Sequence, residues 1–187
     1  MSKLNIFWLQ AKFKLSAADA VIRTKLLYGM DSAQLGEGEL KRLSTIQLNI
    51  SRNNLGLKTT FIDRENSNRK IWNDVNSKVT AEGKKKRIVS FRHAYTKARS
   101  NTMASLILNK QDLRHTAIFN QNLKERIYPN RRVGRPKATW TETTLAELWE
   151  GVRNTNLEWR HTTLDTTNPH IRQKIEETAR RILENKQ

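Results

Sequence analysis

The chain has 187 residues, room for one ordinary domain or two small ones, and its 35 Lys and Arg against 18 Asp and Glu leave a formal net charge of +17. A mean hydropathy of -0.75 with 36% hydrophobic residues is lean for a compact globule but richer than a disordered chain, so small helical cores with exposed basic arms are expected. The absence of cysteine excludes disulfides, Cys-containing zinc knuckles and thiol nucleophiles; no apolar run reaches the roughly 18 residues needed to span a bilayer, and seven Gly and three Pro disfavour a many-turned β-sandwich or barrel.

In chain order, the short interrupted apolar stretch after Lys3 does not read as a signal peptide. Ser16 with Asp19 three residues on makes a capping-box-like start. Ala17, Ala20, Val21, Leu27 and Tyr28 then supply an apolar face, and Gly29 a stop. A second helix is predicted over residues 37–53, with Leu40, Leu43, Ile46 and Ile50 as a buried stripe and Gly56 just past its end. Residues 59–68 read as a polar connection. Ile71, Trp72, Val75 and Val79 share one face of a third helix, which Gly83 breaks.

From Gly83 to Gln111 there is no acidic residue. Ile88, Phe91, Tyr95 and Met103 recur there at roughly helical spacing, which predicts one long helix or two with a single apolar seam. Residues 113–136 are the least regular, with Ile118-Phe119 as a short strand or packing anchor. Leu145, Leu148, Trp149 and Val152 mark a helix starting near Thr141. Asn168 and Pro169 are a cap and first position for the last helix, whose face is Ile171, Ile175, Ala179 and Ile182.

The charge excess lies in the first three quarters of the chain, because acids and bases nearly cancel from Thr141 onward. Such a surface attracts polyanions, and phosphate neutralisation makes nucleic acid the leading partner. No helix combines a broad aromatic-apolar face with a Lys-rich rim, so a membrane partner is not expected. The run Lys84-Lys85-Lys86-Arg87 reads as a phosphate-tracking segment, a nuclear-import patch or a solvated helix face. Phe91 and Tyr95 beside it are stacking platforms or core residues. In residues 131–140, Arg135 between Gly134 and Pro136 suits an A·T-rich minor groove, as at the centre of an AT-hook, although Val133 stands where such a motif has arginine. The plainer reading is a basic turn into a helix anchored by Trp140. The candidate nucleic-acid-binding residues are Lys84, Lys85, Lys86, Arg87, Arg92, Lys97, Arg99, Arg131, Arg132, Arg135 and Lys137.

Two-metal nucleotidyl transfer needs closely placed carboxylates. No two Asp residues are adjacent here, and Asp19, Asp31, Asp63 and Asp74 are scattered, as caps, turns or surface residues would be. His93, His115, His161 and His170 share no metal-ligand spacing. No catalytic residue, metal or cofactor is expected.

One order of short motifs is specific. Phe7-Trp8, the basic-apolar run from Lys12 to Leu15, Leu26-Leu27-Tyr28-Gly29 and Asp31 come first. Leu43, Gln47, Asn49 and Arg52 before Leu55-Gly56 follow, then Phe61-Ile62-Asp63-Arg64 with Asn66 and Asn68, and finally Gly134-Arg135-Pro136 with Trp140. This succession resembles the thumb and downstream portion of reverse transcriptases from non-LTR (LINE-type) retrotransposons. Residues 105–108 stand where that family often has a Gly-His-x-x-Arg element, and its His and Arg are missing. The resemblance implies thumb helices that grip a primer–template duplex through phosphates, downstream basic segments that bind template RNA or target DNA, and fingers and palm in a separate upstream portion.

The expectation is thus a mainly α protein: a thumb-like helical bundle over residues 1–82, a basic helical and loop region over 83–136, and a C-terminal helical pair over 137–187. Its expected role is non-catalytic binding of RNA, DNA or their hybrid duplex, inside the cell and in the nucleus, with a separate catalytic reverse transcriptase portion as a further candidate partner. The alternatives are a stand-alone DNA-binding or architectural protein using the Gly-Arg-Pro element, or a decayed element fragment.

Overall fold

The computed structural model describes residues 3–80, 87–124 and 139–185. The fold is mainly α, with seven α-helices and no strand among the described residues. The chain forms two compact units, Met1–Met30 with Leu35–Tyr95, and Asp31–Gln34 with Thr96–Gln187. The expected boundaries beside residues 83 and 136 lie outside the described residues. The two units divide between Tyr95 and Thr96, within one helix.

The first unit holds α1 (Lys3–Leu26), α2 (Glu37–Leu55), α3 (Asn68–Thr80) and the start of α4 (Phe91–Leu108). α1 corrects two expectations. It begins well before Ser16, because residues 3–15 contain neither Gly nor Pro to stop it, so Ser16 and Asp19 are interior. Its buried stripe is Ala11, Leu15 and Ile22, four and seven residues apart. Val21 lies about 100° round the helix from that stripe and is 58% exposed, Tyr28 is 89% exposed, and Ala17 and Ala20 also face solvent. Of the expected inward face only Leu27 packs, against Ile22, Leu40, Phe91 and Tyr95.

α2 buries Leu40 and Leu55, with Leu43 and Ile50 half-buried. Ile46 points outward instead, and the polar Gln47 and Ser51 lie inside. Gly56 ends α2 in the left-handed region at φ 67, as a helix stop should. α3 buries Ile71, Val75 and Val79, a stripe at spacing four, against Leu15, Leu55 and Ile88. Arg52 ties the end of α2 to the start of α3, donating to Asn68 Oδ1 at 2.9 Å.

The second unit holds the rest of α4, α5 (Leu113–Ile118), α6 (Trp140–Thr155) and α7 (Pro169–Glu184). Met103, Ile107, Phe119, Leu145, Leu148, Trp149, Ile171 and Ile175 are its core. Phe119 is thus a packing anchor directly after a short helix, in an isolated β-bridge position. The Trp149 indole N–H donates to the Thr162 carbonyl at 3.1 Å, and its ring meets Trp159 edge-on. Helix starts are closed by side chains: Thr139 and Glu142 form a reciprocal capping box on α6, and Asn168 Oδ1 accepts from the His170 N–H at 2.9 Å on α7. Replacing Asn168 with alanine should cost about 1 kcal/mol, the usual weight of such a cap, while aspartate should restore most of it. Thermal denaturation of the two variants checks this, and equal melting temperatures for N168A and the parent would refute it.

Candidate nucleic-acid interface

The described members of the basic set have separate fates. Lys84, Lys85 and Lys86, and with them Arg131, Arg132, Arg135 and Lys137, lie outside the described residues. Arg87 is exposed, and the chain after it is pinned. The Ile88 N–H donates to Asn76 Oδ1 at 3.1 Å, and Ile88 itself is buried. The amide of Gln47 then holds both edges of the next turn, donating to the Val89 carbonyl at 3.0 Å and accepting from the Phe91 N–H at 2.6 Å. Arg87 therefore lies next to a fixed point of the first unit.

Arg92 is exposed, but both arms of its guanidinium meet the Glu37 carboxylate, one of them at 3.2 Å. An exposed pair of this kind is worth little and opens readily to a competing phosphate. Lys97 is exposed. Arg99 is a correction: it is only 5% exposed and reaches Glu147 Oε1 at 3.3 Å, Thr143 Oγ1 at 3.0 Å and Thr144 Oγ1 at 2.6 Å within the second unit. Its position on α4 turns it toward α6, so it braces helices and offers no surface to a phosphate. Phe91 and Tyr95 are buried against each other with ring centroids 6.4 Å apart, which makes them core and not base-stacking platforms. The Tyr95 hydroxyl accepts from the Leu35 N–H at 3.0 Å.

Sequence reasoning missed two exposed features of the first unit. The solvent side of α1 shows Phe13 and Val21 with Lys14 and Lys25, Tyr28 is exposed just past its end, and the one acid of the helix, Asp19, is buried. The loop between α2 and α3 presents Phe61, 96% exposed, and Ile62 between exposed Lys58 and Arg64. This loop is braced from inside. Buried Asn66 donates to the Lys58 carbonyl at 3.1 Å and to Asp63 Oδ2 at 3.0 Å, and the Thr59 carbonyl accepts from the Ile62 and Asp63 N–H groups. The signal was an apolar pair inside a polar stretch, with a cation on each side.

Two motifs far apart in sequence meet in the second unit. The Trp140 indole N–H donates to the Asp31 carbonyl at 2.9 Å, and the Asp31 carboxylate accepts from the Thr102 hydroxyl at 2.6 Å. Trp140 is thus an anchor, and Asp31 a structural acceptor. Among the described residues no three His, Asp or Glu side chains come together as a metal site, and no helix is long and apolar enough to cross a membrane. No family model, curated protein or solved structure matches the chain.

Proposed function

We propose that the protein binds nucleic acid without catalysis, through phosphate contacts, as the thumb-like and downstream part of a LINE-type reverse transcriptase acting in the nucleus. The observation that carries this reading is the charge: +17 overall, with an acid-free run from Gly83 to Gln111. Exposed Lys14, Lys25, Lys41, Arg42, Lys58, Arg64, Arg69 and Arg87 on the first unit agree with it. So does the meeting of Asp31 with Trp140, which joins two motifs of the resemblance in one unit. Phosphate contacts of this kind grip a duplex and set its register without reading its sequence.

Substituting Lys84, Lys85, Lys86 and Arg87 together with glutamine tests the reading. Binding to many duplex sequences should weaken, and the slope of log affinity against log salt should flatten by up to roughly three to four, about 0.9 for each phosphate of a B-form duplex that is no longer neutralised. An unchanged affinity and slope would remove these four residues from the interface. The chain alone should give no primer extension with Mg²⁺ or Mn²⁺. A preference for A·T-rich duplex over RNA–DNA hybrid would favour instead a stand-alone DNA-binding role for the Gly-Arg-Pro element.

A further inference from the structure

The loop that joins α2 to α3 carries the most exposed aromatic side chain among the described residues. Phe61 is 96% exposed, and Ile62 beside it is 67% exposed. Burying such a pair is favourable, so a slack loop would fold it against the nearest apolar surface. This loop is not slack. At its entry Leu57 packs on the core of the first unit. The Thr59 carbonyl accepts from the Ile62 N–H at 3.0 Å and from the Asp63 N–H at 2.9 Å, which closes a turn with Thr60, Phe61 and Ile62 on its outside. Asn66, 3% exposed, then ties the two ends of the loop together through Lys58 and Asp63. The apolar tip is therefore held out in water by hydrogen bonds beneath it.

The charge around the tip is one-sided. No acid lies between Glu39 and Asp63. Exposed Lys58 and Arg64 stand three residues before and three after Phe61, and exposed Arg69 follows on the first turn of α3. Two acids are near in sequence. Asp63 uses both carboxylate oxygens inside the loop, one on the Glu65 N–H and one on the Asn66 amide. Glu65 faces Lys70 at 3.8 Å. Lys58, Arg64 and Arg69 are left as the uncompensated charge of this edge.

A flat apolar ring set between cations is complementary to a nucleobase set between its phosphates. Stacking of a base on an aromatic ring tolerates any sequence, because every base has a π-face. A protein partner fits less well. Two side chains offer roughly 300 Å² of apolar surface, whereas a stable protein interface takes about 800 Å² from each partner. A base inside a duplex has both faces covered by its neighbours, so the ring needs a base whose face is open. We propose that the α2–α3 loop stacks Phe61 on an exposed base, in a single strand or at the end of a duplex, with Lys58 and Arg64 on the flanking phosphates. Ile62 widens the apolar contact. This deepens the nucleic-acid reading and rests on it for the ligand, adding a preference for open bases that phosphate contacts alone do not give.

The test is binding of the full chain to two fluorescently labelled strands of equal length, one with bases and one abasic, followed by anisotropy. F61A should weaken binding to the base-bearing strand about tenfold, as loss of one stacked base does, and leave the abasic strand and the salt slope unchanged. Its circular dichroism and melting temperature should match the parent, because the ring is exposed. F61W should bind like the parent, and F61L, apolar but not flat, like F61A. K58Q with R64Q should weaken both strands and flatten the salt slope by up to about 1.4, or 0.7 for each phosphate of a single strand. F61L binding like the parent would mark a plain apolar contact, and an equal loss on both strands would mark a disturbed loop; either overturns the proposal. If F61A binds the base-bearing strand like the parent while the Lys84–Arg87 variant still loses affinity, stacking fails and the nucleic-acid reading stands. If the parent binds neither strand nor any duplex, both fall, and the tip is left to a protein partner.

Discussion

Replacing Gln47 by leucine should destabilise the first unit by about 2–4 kcal/mol, the cost of leaving two buried backbone groups without partners. Leucine nearly matches glutamine in volume, so packing is largely kept and the polar effect is isolated. The side chain is 4% exposed, and both ends of its amide are used. Oε1 satisfies the Phe91 N–H, one of the donors that the first turn of α4 leaves open, and Nε2 satisfies the Val89 carbonyl. Ser51→Ala is the matched control, because its hydroxyl bonds only the Gln47 carbonyl of its own helix. That variant should stay within about 1 kcal/mol of the parent. Urea denaturation of the three proteins decides the matter, and Q47L unfolding with the parent midpoint would show that the clamp is dispensable. Arg87 lies two residues before Val89, which this clamp holds, so Q47L should also weaken nucleic-acid binding where the protein remains folded.

The second expected result is an asymmetry. Removing Glu147 should cost about 2–4 kcal/mol, whereas Arg99→Met should cost only about 1–2 kcal/mol. The arginine side chain is 6% exposed and its glutamate partner 44%. Taking away the glutamate removes this carboxylate from a guanidinium in the interior, beside the neutral hydroxyls of Thr143 and Thr144. Taking away the arginine lets the glutamate return to water. The two threonines still bond carbonyls of their own helix, Thr143 to Thr139 and Thr144 to Trp140. Methionine also keeps the stem that fills the space. Thermal unfolding of E147A and R99M gives the order of the two effects, and R99M as the worse variant would refute it. In folded protein R99M should leave the salt slope of duplex binding unchanged, as a buried brace must. A flatter slope would return Arg99 to the interface.

The fold was largely legible where its signals are local. Gly56, Asn168 and Pro169 punctuate helices by conformational and capping preferences that reach only a few residues. The stripes Ile71, Val75, Val79 and Leu145, Leu148, Trp149, Val152 turned inward because each helix has one apolar face and no competing one. α1 was harder to read. Apolar residues occur around most of its circumference, so period alone admits several inward faces, and the neighbours on α2 and α3 selected Ala11, Leu15 and Ile22.

The same distinction separates the candidate residues. Lys97 and Arg99 are two positions apart on one helix and equally cationic in sequence, yet one is exposed and the other buried. Composition by itself determined that the chain is helical, strongly basic and free of cysteine chemistry, because those properties are sums over residues or preferences of short segments. Only the tertiary structure decided that Gln47 is a buried clamp and Arg99 a brace. Gln47 finds its partners 42 and 44 residues away, and Arg99 meets Glu147 48 residues away. Burial and hydrogen bonding of a polar side chain depend on what packs over it, and that is set by distant segments whose approach no local pattern encodes.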